Sequence, residues 1–318
     1  MPVFVQVAFL LAALAFLIAL AVSIQFFRHP MAMMVWLRRK RLQRAGFAST
    51  TIETSVGPQI VWRGGSGPLL VLLHGAGDQA STWHKIAADL SRTYSLVMPD
   101  LAGHGQSAPP SGPLSIGTIL ATLEQVLDSD SWKPHRFILA GNSLGAWSAM
   151  LYTHKHPDRI SRLLLINGGA LKGLQTEITL TPKSREEARR TFDAILDPAT
   201  PRPPGFVLDD LIRVTNHGPM ARLIATEAEI PNYVLDGKLR DFRVPVDIVW
   251  GASDRLVPID YARAMEAQLP AARLTVIERC GHAPQLECSA KLLKVLHSVL
   301  EAAAPTEKSY APRGSANP

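Results

Sequence analysis

Four apolar residues, Phe137 to Ala140, run directly into Gly141-Asn142-Ser143-Leu144-Gly145, and a helical pattern follows from Leu144 to about His156. A G-x-S-x-G between a strand and a helix leaves a chain very few shapes. The turn is so tight that the serine is driven towards positive φ, which is tolerated only where the flanking residues are as small as glycine. It lifts the Ser143 hydroxyl clear of the sheet and turns the first N–H groups of the next helix towards whatever the oxygen attacks. At ordinary Gly and Ser frequencies such a pentapeptide arises by chance in roughly one chain in ten of this length, so partner residues must decide its meaning.

The flanking chain alternates strands and helices. Strands are expected at Gln59 to Arg63, Leu69 to Leu73, Ser95 to Met98, Leu163 to Ile166, Val246 to Trp250 and Leu274 to Ile277. Helices are expected at Trp83 to Leu90, Ile116 to Leu127 and Ala290 to about Ala303. This rhythm predicts an α/β fold with a mostly parallel sheet covered on both faces, and functional groups at the carboxyl ends of the strands. The rhythm breaks between Asn167 and Val244, where helical patterns (Ser184 to Leu196, Met220 to Glu229) flank the proline-rich stretch Pro198 to Pro204. An interval that long predicts an inserted helical cap rather than a loop.

A serine hydroxyl becomes a useful nucleophile when an imidazole takes its proton and a carboxylate holds the imidazole in the right tautomer. Downstream of Ser143 the chain places Asp254 after one strand and His282, within Gly281-His282-Ala283-Pro284, after the next. Both fall in strand-end loops able to converge on the serine. His104, His217 and Glu287 are expected to be structural, and Cys280 a small buried hydrophobe.

Charge matters here mainly through its location. The 318 residues carry 33 basic and 27 acidic side chains, but Arg28, Arg38, Arg39, Lys40, Arg41 and Arg44 all precede the first acid, Glu53. The rest of the chain is neutral, which excludes a nucleic-acid groove and assigns the basicity to one segment. Ahead of it, Val3 to Phe27 is apolar except for Gln6, Ser23 and Gln25, and as a helix would extend roughly 37 Å, enough for a hydrocarbon core of about 30 Å. An uncleaved anchor with the following domain on the cytoplasmic side is the expectation; a cleaved signal peptide and an exported domain are the alternative. Two cysteines, Cys280 and Cys288, form neither a disulfide framework nor a metal pattern and read as free thiols.

From about residue 50 to 303 the chain resembles the α/β-hydrolase superfamily. His74-Gly75-Ala76-Gly77 is similar to its oxyanion loop, Asp100 to Ser107 to its D-x-x-G-H-G-x-S loop, and Gly141 to Gly145 to its nucleophile elbow. Gly251-Ala252-Ser253-Asp254 is similar to its acid loop and Gly281-His282-Ala283-Pro284 to its histidine loop. The resemblance implies Ser143 as nucleophile, His282 as base, Asp254 as orienting acid and the N–H groups of Ala76 and Leu144 as oxyanion hole, with no metal or organic cofactor. Monoacylglycerol-lipase-like and bacterial lipase-like branches look closest, which implies a small-molecule ester or lipid substrate. The implied organisation is an anchor at 1–28, a basic juxtamembrane segment at 29–49, a hydrolase core at 50–168 and 241–303, a cap at 169–240 and a disordered tail at 304–318.

Three rivals stand beside this reading. C–C bond hydrolases share the G-N-S elbow, although Ala283 stands where that branch usually carries tryptophan. A membrane-tethered accessory protein could keep the sheet and lose the chemistry. A dinucleotide site is suggested by Gly75-Ala76-Gly77-Asp78-Gln79-Ala80 with Asp100 as ribose acid, but it leaves the elbow and both downstream loops without a role.

Overall fold

The structure, a computed structural model, describes residues 2–129, 136–173 and 178–302. Among them eight strands form one sheet. They are β1 (Ala48–Thr54), β2 (Gly57–Gly64), β3 (Leu69–Leu73), β4 (Ser95–Pro99), β5 (Phe137–Asn142), β6 (Ile160–Ile166), β7 (Val246–Gly251) and β8 (Ala272–Ile277). Their order is β1-β2-β4-β3-β5-β6-β7-β8. β2 pairs antiparallel with both neighbours, and every pair from β4 to β8 is parallel.

The central strands are apolar on both sides because both sides are covered. Val71 and Leu73 of β3 and Leu163 and Leu165 of β6 face one layer, while Leu70, Leu72, Leu164 and Ile166 face the other. The first layer holds α4 (Ile116–Leu127), α5 (Leu144–Lys155) and α9 (Ile259–Gln268); the second holds the one-turn α3 (Ala87–Leu90) and α11 (Ser289–Glu301). Burying each such aliphatic side chain stabilises the fold by about 1.5–3 kcal/mol. Ser115 starts α4 by accepting the Thr118 N–H at 3.2 Å, a cap that answers an otherwise unpaired donor.

Between β6 and β7 the chain forms α6 (Arg185–Ile195), α7 (Gly205–Thr215), α8 (Pro219–Ile224) and a 3-10 turn at Glu227–Tyr233. These lie against the carboxyl end of the sheet: the Trp147 indole N–H of α5 donates to the Tyr233 carbonyl at 2.7 Å, and the Thr226 hydroxyl to that of Leu114 at 2.7 Å.

Three local expectations differ from what forms. The segment before Gln59, where no strand is among those expected, is an edge strand, β1. Its Ser, Thr and Glu residues carry no hydrophobic signal, yet the threonines are β-branched and suit an exposed strand. The helix expected at Trp83 to Leu90 is a 3-10 turn, Ala80–Lys85, followed by α3. Cys280 and Cys288 are not free thiols but a disulfide, with Cα atoms 5.9 Å apart. The one-turn helix α10 (Pro284–Glu287) folds the chain back on itself and brings residues eight apart into bonding range, which linear spacing does not reveal.

The N-terminus forms two helices, α1 (Val3–Arg28) and α2 (Pro30–Arg44). α1 has 26 residues, none buried, and a mean hydropathy of 2.9 in its most apolar stretch; at about 39 Å it is long enough to cross a membrane. Phe26 and Phe27 at its end pack on Phe206 of α7, with ring centres 5.7 and 5.1 Å away, and the Met31 N–H donates to Asp210 Oδ2 at 2.9 Å. α2 is part of the core: Leu42 is fully buried in the layer that contains Trp83 and Leu292. The tail expected to be disordered at 304–318 lies outside the described residues.

Candidate active site

Ser143 sits between β5 and α5 with φ 55° and ψ −117°, a conformation seldom adopted by a residue with a side chain. The neighbours permit it. A Cβ on Gly141 would collide with the backbone of Gly145, and one on Gly145 with the Leu73 and His74 carbonyls. Gly168 presses on the serine from β6, where a Cβ would come within 2.6 Å of the Ser143 Cα. Ser143 Oγ faces a cavity, and the N–H groups of Ala76 and Leu144 donate no hydrogen bond among the described residues. Two unsatisfied donors beside a cavity-lining serine can receive a developing negative charge.

Asp254 and His282 are brought together from the ends of β7 and β8. His282 Nδ1 lies 2.7 Å from Asp254 Oδ2. A carboxylate oxygen accepts, so the hydrogen is on Nδ1 and Nε2 is left with its lone pair. The carboxylate is fully engaged: Oδ2 also accepts from Asn167 Nδ2 at 2.7 Å, and Oδ1 from the N–H groups of Leu256 (3.0 Å) and Val257 (2.9 Å). The histidine is tied to the elbow through Asn142, whose Nδ2 donates to the His282 carbonyl at 2.9 Å and whose Oδ1 accepts from Gln285. Among the described residues no hydrogen bond joins the Ser143 hydroxyl directly to the imidazole, a contact that commonly tightens only around substrate.

One contributor was invisible in the sequence. Asn167, at φ 46°, grips Asp254 and accepts from the Gly251 N–H at 3.1 Å. Its one signal was a polar residue before Gly168-Gly169 at a strand end, which reads equally well as a turn. Glu287 is structural in a specific way: Oε2 accepts from Gly281 N–H at 2.6 Å and Oε1 from Asp197 N–H at 2.7 Å, fastening the histidine loop to the segment after α6.

Two other buried histidines, His74 and His104, lie behind the site. His74 Nδ1 donates to the Gly75 carbonyl and Nε2 accepts the Leu101 N–H, while burial pushes its pKa down. His104 donates to the Ala102 carbonyl at 2.9 Å and burial lowers its pKa to about 3, so it stays neutral. Asp100 is buried and bonded to the Ala80 and Gln106 N–H groups, and a Cβ on Gly105 would strike its carboxylate. It is not available to a ribose, and the dinucleotide reading is thereby lost.

The cavity above Ser143 has a volume of about 390 Å³. Ala76, Ser143 and Leu144 border it on the core side, Trp147, Val257 and Tyr261 on the flank, and Met220, Leu223, Ile224 and Ile230 from the insertion cover it. Among the described residues Lys172 and Glu227 are its charged lining, one of each sign. Among the described residues no group of three or more His, Cys, Asp or Glu side chains is arranged to hold a metal.

Residues 70–295, most of the chain and all of this site, match the alpha/beta hydrolase family. The chain belongs to the alpha/beta hydrolase family. Among curated proteins, this hydrolase is 27% identical over 275 residues to an uncharacterized protein of Mycobacterium tuberculosis, covering 78% of this chain and 79% of the relative. It is 28% identical over 253 residues to a 2-hydroxy-6-oxononadienedioate/2-hydroxy-6-oxononatrienedioate hydrolase of Paraburkholderia phymatum, covering 71% of this chain and 85% of that one. Among solved structures, a membrane phospholipase A described as a bacterial virulence factor superposes with a TM-score of 0.71 at 23% identity, over 92% of this hydrolase and 97% of that chain. The fold and the hydrolase class follow from these likenesses.

Proposed function

We propose that the protein is a membrane-anchored serine hydrolase that cleaves carboxylic esters, lipid-derived ones such as monoacylglycerols among them. The observation that carries this reading is the 2.7 Å contact of His282 Nδ1 with Asp254 at the same rim as a backbone-strained serine. In the first step His282 Nε2 takes the hydroxyl proton as Ser143 Oγ bonds to the ester carbon, and the carbonyl oxygen becomes an oxyanion held by the Ala76 and Leu144 N–H groups. The imidazolium then protonates the departing alkoxide, leaving an acyl-serine. Water loses a proton to His282, attacks the acyl carbon, and the carboxylic acid leaves as the serine regains its proton. A cavity of about 390 Å³ with an apolar cover favours an acyl chain, and α1 packed on α7 supports delivery from a bilayer.

The likeness to a dienedioate hydrolase favours a second reading, C–C bond cleavage. A dioate carries two carboxylates and needs cationic side chains; this cavity offers Lys172 offset by Glu227, which supports the ester reading instead. One panel separates them: p-nitrophenyl esters of graded chain length, monoacylglycerols and a dienedioate, with full-length protein and Ser143→Ala. Ester turnover that falls about 10⁶-fold in the variant is the expected outcome. Turnover of the dienedioate alone, or no fluorophosphonate labelling of the wild type, would remove the ester assignment.

The side of the membrane is inferred from chemistry. The basic flank pointed to the cytoplasm, but Arg38, Arg39 and Arg41 contact Asp78, Gln79, Asp100 and His84 of the folded domain, and a disulfide is characteristic of an oxidising compartment. Both favour the domain lying outside the cytoplasm. Maleimide-polyethylene-glycol modification of Cys280 and Cys288 in denatured whole cells, with and without prior reduction, tests it: modification without reduction returns the domain to the cytoplasmic side.

A further inference from the structure

The loop bearing Ala76 is braced from outside the sheet. Within loop 74–79, Asp78 accepts its neighbour Gln79 N–H at 2.9 Å and donates its own N–H to the Gly75 carbonyl at 3.2 Å. The buried His74 ring ties the start of the loop to the Gly75 carbonyl and the Leu101 N–H, and its Asp78–Gln79 end is met by two consecutive arginines of α2. Arg38 Nη1 reaches Asp78 Oδ1 at 3.4 Å, and Arg39 Nη2 donates to Gln79 Oε1 and stands 3.9 Å from Asp100 Oδ2. Asp100 in turn accepts the Ala80 N–H at 2.8 Å and the Gln106 N–H at 3.0 Å, so one buried carboxylate bolts the far end of the loop to the strand beside it. An unpaired buried carboxylate is costly, and Arg39 is the guanidinium that approaches this one. Burial of Pro30 and Leu42 at opposite ends of α2 keeps the arginines in place. At Gly75 the loop lies close against the elbow: a Cβ there would lie 3.3 Å from the Ser143 Cβ. A shift of Gln79 or Asp100 therefore moves the Ala76 N–H relative to the serine.

We infer that Arg39, assisted by Arg38, is a positioning residue that holds Gln79 and Asp100 so that the Ala76 N–H stands where the oxyanion forms. The inference rests on the ester-hydrolase reading above. It makes the helix emerging from the membrane segment a working part of the site rather than a tether.

The test uses full-length protein in detergent micelles, with Arg39→Ala, Arg39→Lys and Arg38→Ala, on p-nitrophenyl butyrate. Rates are expressed per site titrated with a fluorophosphonate, so that unfolded protein does not count. n-Butylboronic acid probes the oxyanion hole: the Ser143 oxygen bonds to boron, its proton passes to His282, and the trigonal acid becomes a tetrahedral anion. Arg39→Ala should lower kcat about 10- to 100-fold with KM changed by less than about two-fold, and weaken boronate binding by the same factor. Arg39→Lys, which keeps a cation beside Asp100, should recover to within about five-fold of the wild type, and Arg38→Ala should lose less than Arg39→Ala. A kcat for Arg39→Ala within about two-fold of the wild type, or a lower kcat with boronate affinity unchanged, overturns the inference. A wild type that neither hydrolyses the ester nor takes the fluorophosphonate sinks the ester-hydrolase reading itself, and this inference with it.

Discussion

The two rims that flank Ser143 are built in opposite ways. On the β6–β8 side, Asp254 receives four hydrogen bonds from Asn167, His282 and two backbone N–H groups, all supplied by loops at the ends of adjacent parallel strands. On the β3–β4 side, loop 74–79 is held by Asp100 from within the sheet and by Arg38 and Arg39 from a helix that begins directly after the apolar span. The first rim is built from residues that follow the elbow, with the His282 N–H donating besides to the Ile195 carbonyl at the end of α6 at 2.8 Å. The second is complete only when α2 docks, so an arrangement made by the fold faces one that depends on the N-terminal segment.

The contrast can be broken by substitution, and the largest effect belongs to the β6–β8 rim. Asp254→Asn should reduce kcat by about 10⁴-fold with thermal stability nearly unchanged, because the amide would favour the wrong imidazole tautomer. A loss no greater than that of Arg39→Ala would mean that the two rims do not differ as described. Asn167→Ala should come next, with kcat down about 10- to 100-fold, since Asp254 keeps three of its four donors but the carboxylate can swing. Steady-state kinetics of the purified variants separates these outcomes.

Cap substitutions sharpen the contrast by leaving both rims alone. Ile224→Asp should raise KM for a dodecanoyl ester about 10-fold and leave butyrate turnover within about two-fold, because it puts a charge into the apolar part of the cavity's cover. Equal effects on both esters would relocate the acyl site.

The smallest effect concerns acid. His84, which accepts from Arg41 of α2 at 3.2 Å, has its pKa pushed down to about 4, first by burial and then by Arg38, Arg41 and Lys85 nearby. Its neutral form is the one compatible with that contact. Because the unfolded chain binds this proton with a pKa near 6.5, stability is fully present above about pH 6.5 and declines as pH falls towards about 4. The α2 side should therefore lose stability in acid. Melting temperature measured from pH 7.5 to 4 should fall less steeply in His84→Gln than in the wild type; identical slopes would discard the assignment.

Much of this architecture was legible beforehand. Leu69–Leu73 and Ile116–Leu127 form as expected from their apolar patterns, and the glycines around Ser143 announced positive φ at that residue. β1 escaped notice because an exposed edge strand of threonines buries nothing that hydropathy can register. The disulfide escaped because a one-turn helix, not sequence distance, brings Cys280 to Cys288. Asn167 and Arg39 escaped for a common reason: each acts on a residue 87 or 40 positions away, and nothing in the neighbouring sequence tells an amide or a guanidinium that bonds a remote partner from one that faces water.

What the amino-acid order determined by itself were the local matters: which segments are strands, where the backbone must bend sharply, which stretch is apolar enough to span a bilayer. Each follows from side-chain size, branching and periodicity over a few neighbouring residues, so each can be read without coordinates. The tertiary structure alone decided which polar groups face one another, that Arg38 and Arg39 after the apolar span turn inward to the loop at 74–79, and that the carboxylate at 254 is gripped from two sides. Those outcomes depend on strands distant in the chain becoming neighbours in a sheet, and hydrogen bonds act only over the last three ångströms of that approach.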